Sequence, residues 1–412
     1  MTLPAPSRGR RLLASGAAVV CAGSALAACG GGGARPPGAT AGSRPGPAAS
    51  AERAIDVEEA WRWPAPPPGS VGMPSADAAG VAAAYGHLRL VGLALDGVVQ
   101  WEVERRGLRD VAPALTPDLV VAATEDGAVA VERRRGRVRW DTKVGERANT
   151  PVVVGGKAVV STWEGSLTAF DLADGRPAWR AALPGPAIGP AATDGSVVVV
   201  TWESPAGDAA GAVAVDGDGR QRWSVPLPPG GVSGPAVVGL PAAGGSTAGG
   251  GSAAAAPSPD AGLAPVVVLV AGDIAAHGLD LADGSERWRT TTEGRGSPEV
   301  PPLPLPGGEV LVPHRLAGLL LLDAASGDVR WGGETNGVAV RGGPAGAGPD
   351  GPFAFPIDDG RLIVAGPGWK AATLDWPGRV SGVAVAPGGL VLVATREARA
   401  NHLIALRIGP DG

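Results

Sequence analysis

Phenylalanine, tyrosine, lysine and cysteine are all scarce in this chain. Three Phe and one Tyr stand against 12 Trp, so aromatic packing must be done almost wholly by indole rings. Cysteine occurs twice, as Cys21 and Cys29, both near the N-terminus. The rest of the chain therefore carries no disulfide framework. Only Lys143, Lys157 and Lys370 accompany 32 Arg, and the 412 residues include 67 Gly and 41 Pro. That bias matches GC-rich codons, and the expected source is a high-GC, Gram-positive bacterium. There is no His-Glu-x-x-His, no Cys-x-x-Cys, no nucleophile elbow and no phosphate loop. No catalytic residue, metal ligand or cofactor is assigned, and the expectation is a non-enzyme. Positive charge is also in deficit, with a formal net charge of −5. Nucleic acid is not an expected partner of an acidic chain.

What is present begins with a leader. Arg8, Arg10 and Arg11 precede an apolar run from Leu12 to Ala28, the order expected of an export signal. The run ends at "LAAC", Leu26 to Cys29, which resembles a bacterial lipobox. This implies cleavage after residue 28 and lipidation of Cys29, a diacylglyceryl and palmitate anchor that holds the protein on the outer side of the cell membrane. The Arg10-Arg11 pair leaves the export route open between the general secretory and twin-arginine pathways. Removing residues 1–28 takes away three Arg and no acid, so the net charge becomes −8. Residues 29–51 follow as lipidated Cys and a tether of Gly, Ala, Pro, Ser and Arg, too poor in apolar groups to offset ordering entropy. The domain is expected over residues 52–412.

That domain is repetitive. Trp ends a short motif at Trp101, Trp140, Trp179, Trp223, Trp288 and Trp331, with spacings of 39, 39, 44, 65 and 43. The long interval contains "AAGGSTAGGGSAAAAPSPDAG" and reads as a disordered insertion at about 241–264. Each unit holds short Val- and Ala-rich runs punctuated by Gly and Asp, and helical periodicity is missing. Short strands in such units predict antiparallel sheets of four. A four-stranded unit every 40 or so residues predicts an all-β fold, a single β-propeller. Eight blades are expected, with seven as the alternative because the unit at 351–380 is poorly formed. The last unit, 381–408, supplies three strands. Its outer strand would come from "DVEEAWRW", residues 56–63, whose Trp63 lies 38 residues before Trp101. Closure of this kind removes a free sheet edge.

The segments "AFDLADGRPAW" (169–179), "GLDLADGSERW" (278–288) and "LLDAASGDVRW" (321–331) resemble the quinoprotein-type, or PQQ-like, propeller repeat. "AVDGDGRQRW" (214–223) is one residue shorter, and "AVERRRGRVRW" (130–140) has Glu132 where Asp is usual. The resemblance implies propeller blades, with the Asp and Gly in a hairpin turn and the Trp packed between blades. With a lipid anchor the architecture is similar to that of the BamB family of outer-membrane assembly lipoproteins, which implies a protein partner in the envelope and a monomeric scaffold. Fold alone does not carry that role across. Other quinoprotein-type propellers are dehydrogenases holding pyrroloquinoline quinone beside calcium. The mature chain lacks the adjacent cysteines found under the cofactor in many of them. A third reading, a sensor of a small ligand or cell-wall polymer, would need polar residues on the innermost strands. Those read "APAL", "TPVVV", "GPAAT" and "SGPAV".

Three tryptophans lie outside the repeat. Trp163 in "STWEGS" and Trp202 in "VTWESP" occupy matching positions, and Trp369 in "GPGWKA" is near that place in the seventh unit. Clustered at second-to-third-strand turns beside Glu164, Glu203 and Lys370, they form a candidate binding surface. Packing onto neighbouring blades is the other reading. His87, His314 and His402 fall near the same edge and His277 within a third strand, all expected to be isolated imidazoles rather than metal ligands. The run "ERRRGRVR", 132–139, falls in a third-to-fourth-strand turn on the opposite face and reads as a solvated turn.

Overall fold

The computed structural model describes residues 55–67, 69–239, 265–272, 275–291, 300–305, 307–314, 318–333, 345–346, 352–357, 361–365, 372–376, 378–396 and 400–410. Among them there is no helix, and the strands form eight antiparallel sheets of four. The predicted signal, Cys29, the tether and the insertion at 241–264 lie outside the described residues. Val238 and Val266, which flank that insertion, pair with each other across the first two strands of their blade.

Each of the first seven blades is a meander of consecutive strands, numbered here by blade from the N-terminus. Blade 3 shows the pattern: Val152–Val154 innermost, then Lys157–Ser161, Ser166–Asp171 and Pro177–Ala182 outermost. The two middle strands are buried on both sides, as in Ser166–Asp171, where only the last residue is exposed. Continuous Val and Ala runs such as "VVVLVA", 266–271, follow from this double burial.

Blade 8 closes the ring. Its strands Arg379–Ala386, Leu390–Arg396 and Asn401–Pro410 are completed by Ile55–Ala65, which pairs antiparallel with Asn401–Pro410 from Ile55↔Pro410 to Ala65↔Asn401. Eight apolar clusters fill the gaps between adjacent blades. One of them joins Trp61, Leu392 and Leu403 of blade 8 to Val81, Val91 and Leu93 of blade 1. The core is therefore distributed around the ring, one layer per blade interface.

The repeat tryptophan explains how adjacent blades register. Trp140, on the outermost strand of blade 2, donates from Nε1 to the Leu172 carbonyl of blade 3 at 3.0 Å. Its ring lies on Gly175 of the same blade 3 hairpin. Gly175 has φ +73°, and a Cβ built there would sit 2.5 Å from the indole. The repeat glycine thus serves both the turn and the seat for the neighbouring blade's Trp. Trp101, Trp179, Trp223 and Trp288 make the same bond, to the carbonyls of Arg133, Gly217, Leu281 and Ala324.

Two expectations change here. Spacing assigned Trp63 to this role in blade 8, but Trp61 fills it. Trp61 donates to the Leu95 carbonyl at 2.7 Å and lies on Gly97. A bulge at Ala60 marks the equivalence, matching the bulge immediately before Trp101 and Trp140. Trp63 instead meets Tyr85 edge to face, with centroids 5.3 Å apart. The seventh unit, read as poorly formed at 351–380, is a four-stranded blade whose innermost strand, Ala345–Gly346, precedes those bounds. Ala372–Asp375 is the outermost strand, and Trp376 just beyond it is buried against blade 8. Trp331 sits in an outermost strand, paired with Leu321.

Candidate functional site

The face carrying the second-to-third-strand turns holds the candidate site. On blade 3 that turn is Thr162 to Gly165, closed by Thr162 N–H to the Ser166 carbonyl at 2.9 Å. Trp163 occupies its tip and is 44% exposed, the largest exposed apolar side chain among the described residues. Exposure of an indole on a rigid turn carries a hydration cost that a partner surface would remove.

The floor around this turn is a network of closed polar contacts. Glu146, on the connection entering blade 3, accepts from Thr162 Oγ1 at 2.9 Å, from Ser166 Oγ at 2.5 Å, and from Arg180. Burial pushes the Glu146 carboxyl up, but the two hydroxyls and the Arg180 guanidinium outweigh it and hold the group below its ordinary value. Beside Trp163, the Arg147 backbone N–H donates to Glu164 Oε2 at 3.1 Å, and its guanidinium pairs with the same carboxylate. Blade 2 continues the pattern. Asp126 in its turn takes Arg105 at 3.0 Å and Lys143 at 2.9 Å, while Glu125 takes Arg109 at 2.9 Å. Charge on this sector is thus paired within the protein, leaving Trp163 as the projecting apolar element.

Trp202 does not share that position. Counting from the pairs Lys157↔Asp171 and Val197↔Asp216, Trp202 is equivalent to Thr162, and Trp163 to Glu203. The backbone agrees, since Trp163 N–H donates to Arg147 O and Glu203 N–H to Pro186 O on the equivalent entering connections. One residue of offset turns the side chain to the other face of the strand. Trp202 is half-buried against the apolar layer between blades 3 and 4, close to Gly211. Packing is therefore the reading that holds for Trp202. Trp369 lies outside the described residues.

The histidines stand apart. His87 is in the turn of blade 1, the one described non-Gly residue with positive φ (+53°), and bonds the Leu108 carbonyl and Asp110. His277 is buried in blade 5 with Nδ1 2.9 Å from Glu286, and burial lowers its pKa. His402 opposes Pro64 in blade 8 and His314 ends a strand in blade 6. Among the described residues no three His, Cys, Asp or Glu side chains converge as metal ligands. The innermost strands carry mainly Ala, Val and Leu, and Asp77 among them is bonded to Arg133. That donor set does not fit a quinone held with calcium.

A family model described as outer membrane protein assembly factor BamB matches residues 54–150 and 131–258. The crystal structure of BamB from Moraxella catarrhalis superposes with TM-score 0.61 at 15% identity, covering 85% of this chain and 97% of that one. The chain is a PQQ-like, BamB-like β-propeller. Two further structures show how widely this fold is shared. A europium-containing methanol dehydrogenase matches at TM-score 0.53 and 14% identity, over 84% of this chain and 85% of that one. The designed protein Ika8 matches at 0.58 and 11%, over 81% and 96%. A comparison with curated proteins gave no match. Identities this low speak to the fold of the BamB-like propeller and leave its chemistry to its own residues.

Proposed function

We propose that this BamB-like propeller is a non-catalytic, protein-binding scaffold of the cell envelope, held at the extracytoplasmic face of the membrane by lipid on Cys29. One observation supports the binding role above the others: Trp163, exposed at a turn whose neighbouring charges are already paired. An exposed aromatic amid charges that already have partners offers apolar area to a partner without leaving a charge unpaired on binding. The BamB family match supports a protein partner and an envelope setting. The "LAAC" motif supports the anchor.

The test is chemical crosslinking of the full chain in its native envelope, comparing wild type with Trp163→Ala. Loss of a defined crosslinked species in the variant, with the far-UV spectrum and melting temperature unchanged, is the expected result. An unchanged crosslinking pattern refutes Trp163 as the recognition element. Labelling with radioactive palmitate, absent in Cys29→Ser, tests the anchor separately.

A further inference from the structure

The geometry points to a membrane-facing side of the propeller, on which the blade 2 hairpin Glu132–Arg139 contacts anionic phospholipid headgroups. The inference rests on the lipid-anchor reading and adds a pose and a lipid class to it.

Two observations meet here. The first is where the chain enters. Ile55 pairs with Pro410 at the end of blade 8 opposite the Arg396↔Asn401 turn. That end carries the third-to-fourth-strand hairpins of the other blades, and Trp61 bonds the Leu95 carbonyl in the blade 1 hairpin there. A leash running from Cys29 to Ile55 therefore joins the propeller on this face, opposite Trp163. The 25 residues 30–54 link Cys29 to this face.

The second observation is charge. The equivalent hairpins carry Asp balanced by fewer or equal Arg: Asp171 and Asp174 with Arg176 in blade 3, Asp216 and Asp218 with Arg220 and Arg222 in blade 4, and Asp323 and Asp328 with Arg330 in blade 6. Blade 2 inverts the pattern. Arg133 is turned inward and held by Asp77 at 2.6 Å and by the Thr116 carbonyl. Arg134, Arg135, Arg137 and Arg139 remain exposed. Glu132 alone opposes them, shared by Arg137 at 3.1 Å and Arg139 at 3.8 Å. The mature chain is acidic overall, so an anionic bilayer repels most of its surface and attracts this corner. Repulsion and attraction together select one pose, with the basic hairpin down and Trp163 turned away from the lipid.

The experiment uses the full lipidated chain in vesicles of phosphatidylcholine with or without phosphatidylglycerol. Flotation reports anchoring, and hydrogen exchange reports contact in 132–139 against 171–177 of blade 3. Slowed exchange in 132–139 is expected only with phosphatidylglycerol, reversed by high salt. Arg134→Ser with Arg135→Ser should lower this protection roughly 10- to 30-fold without affecting flotation or melting temperature. Protection that ignores phosphatidylglycerol, or that is equal in 171–177, overturns the headgroup contact while leaving the anchor standing. A chain that fails to float overturns the anchor, and this proposal with it.

Discussion

Replacing Gly175 by alanine tests how the blades are registered. Two penalties add at that position. A non-glycine residue at φ +73° costs about 1–2 kcal/mol. The new methyl would also lie 2.5 Å from Cγ and Cδ2 of Trp140 and 2.8 Å from its Cβ. Those atoms are at the root of the side chain, so no rotamer relieves the contact and the two blades must part. Overpacking of this kind costs about 1–3 kcal/mol, and stretching the Trp140–Leu172 bond adds about 1 kcal/mol. The expected total is about 3–6 kcal/mol. Gly145 provides the control, because its φ is +77° and nothing lies within 4 Å of a Cβ built there. Gly145→Ala should cost the conformational penalty alone. Urea unfolding followed by far-UV circular dichroism measures both. A Gly175→Ala loss no larger than that of Gly145→Ala refutes the view that this glycine seats the neighbouring indole. In a Trp140→Ala background the excess should shrink to what the retained Cβ contact imposes, which a double-mutant cycle reads directly.

Trp140→Ala should cost about 3–5 kcal/mol by the same assay, whereas the exposed Trp163→Ala should stay within about 0.5 kcal/mol. Deleting residues 55–65 should leave Asn401–Pro410 as an open edge and produce self-association, visible by light scattering. Glu146 is held below its ordinary value of 4.5 in the fold. It therefore contributes stability that is complete above pH 4.5 and is lost as the pH falls through its folded value. Glu146→Gln should flatten that part of the acid limb in a melting-temperature profile, and an unchanged profile refutes the assignment. Trp61→Phe should cost about 1 kcal/mol for the lost bond to Leu95, while Trp63→Phe keeps a ring against Tyr85 and should cost less.

Blade number and closure were legible because each repeat must bury the same two faces, so the Trp and the turn Gly return at a period that survives drift elsewhere. The insertion could be subtracted for the same reason. Legibility failed where the count of residues and the register part company. Trp61 and Trp63 lie 40 and 38 residues before Trp101, both close to the repeat length, and only the bulge at Ala60 tells which of them matches Trp101. The "TWE" shared by 162–164 and 201–203 promised equivalent tryptophans. The strand of blade 4 runs on to Glu203 before its longer turn, which moves Trp202 one place and into the blade interface. Nothing in the local sequence reports that shift, because it depends on where the returning strand begins. The paired charges beneath Trp163 were equally hidden, since Glu146, Arg180 and Thr162 meet only when three segments of chain are stacked. The basic run at 132–139 was visible as a run, but not that Arg133 leaves it to bind Asp77.

The pairing of Ile55–Ala65 with Asn401–Pro410 has a consequence for biosynthesis. A chain made from its N-terminus presents this strand long before its partner, Asn401–Pro410. Every other blade can assemble from neighbouring residues as it emerges, but the ring cannot close until residue 410 arrives. The long loop closed in that final step makes it the slow one. A nascent chain cut short anywhere keeps two unpaired edges, which mark it for capture by chaperones or proteases. The closing strand thus acts as a check that synthesis has passed Asn401–Pro410.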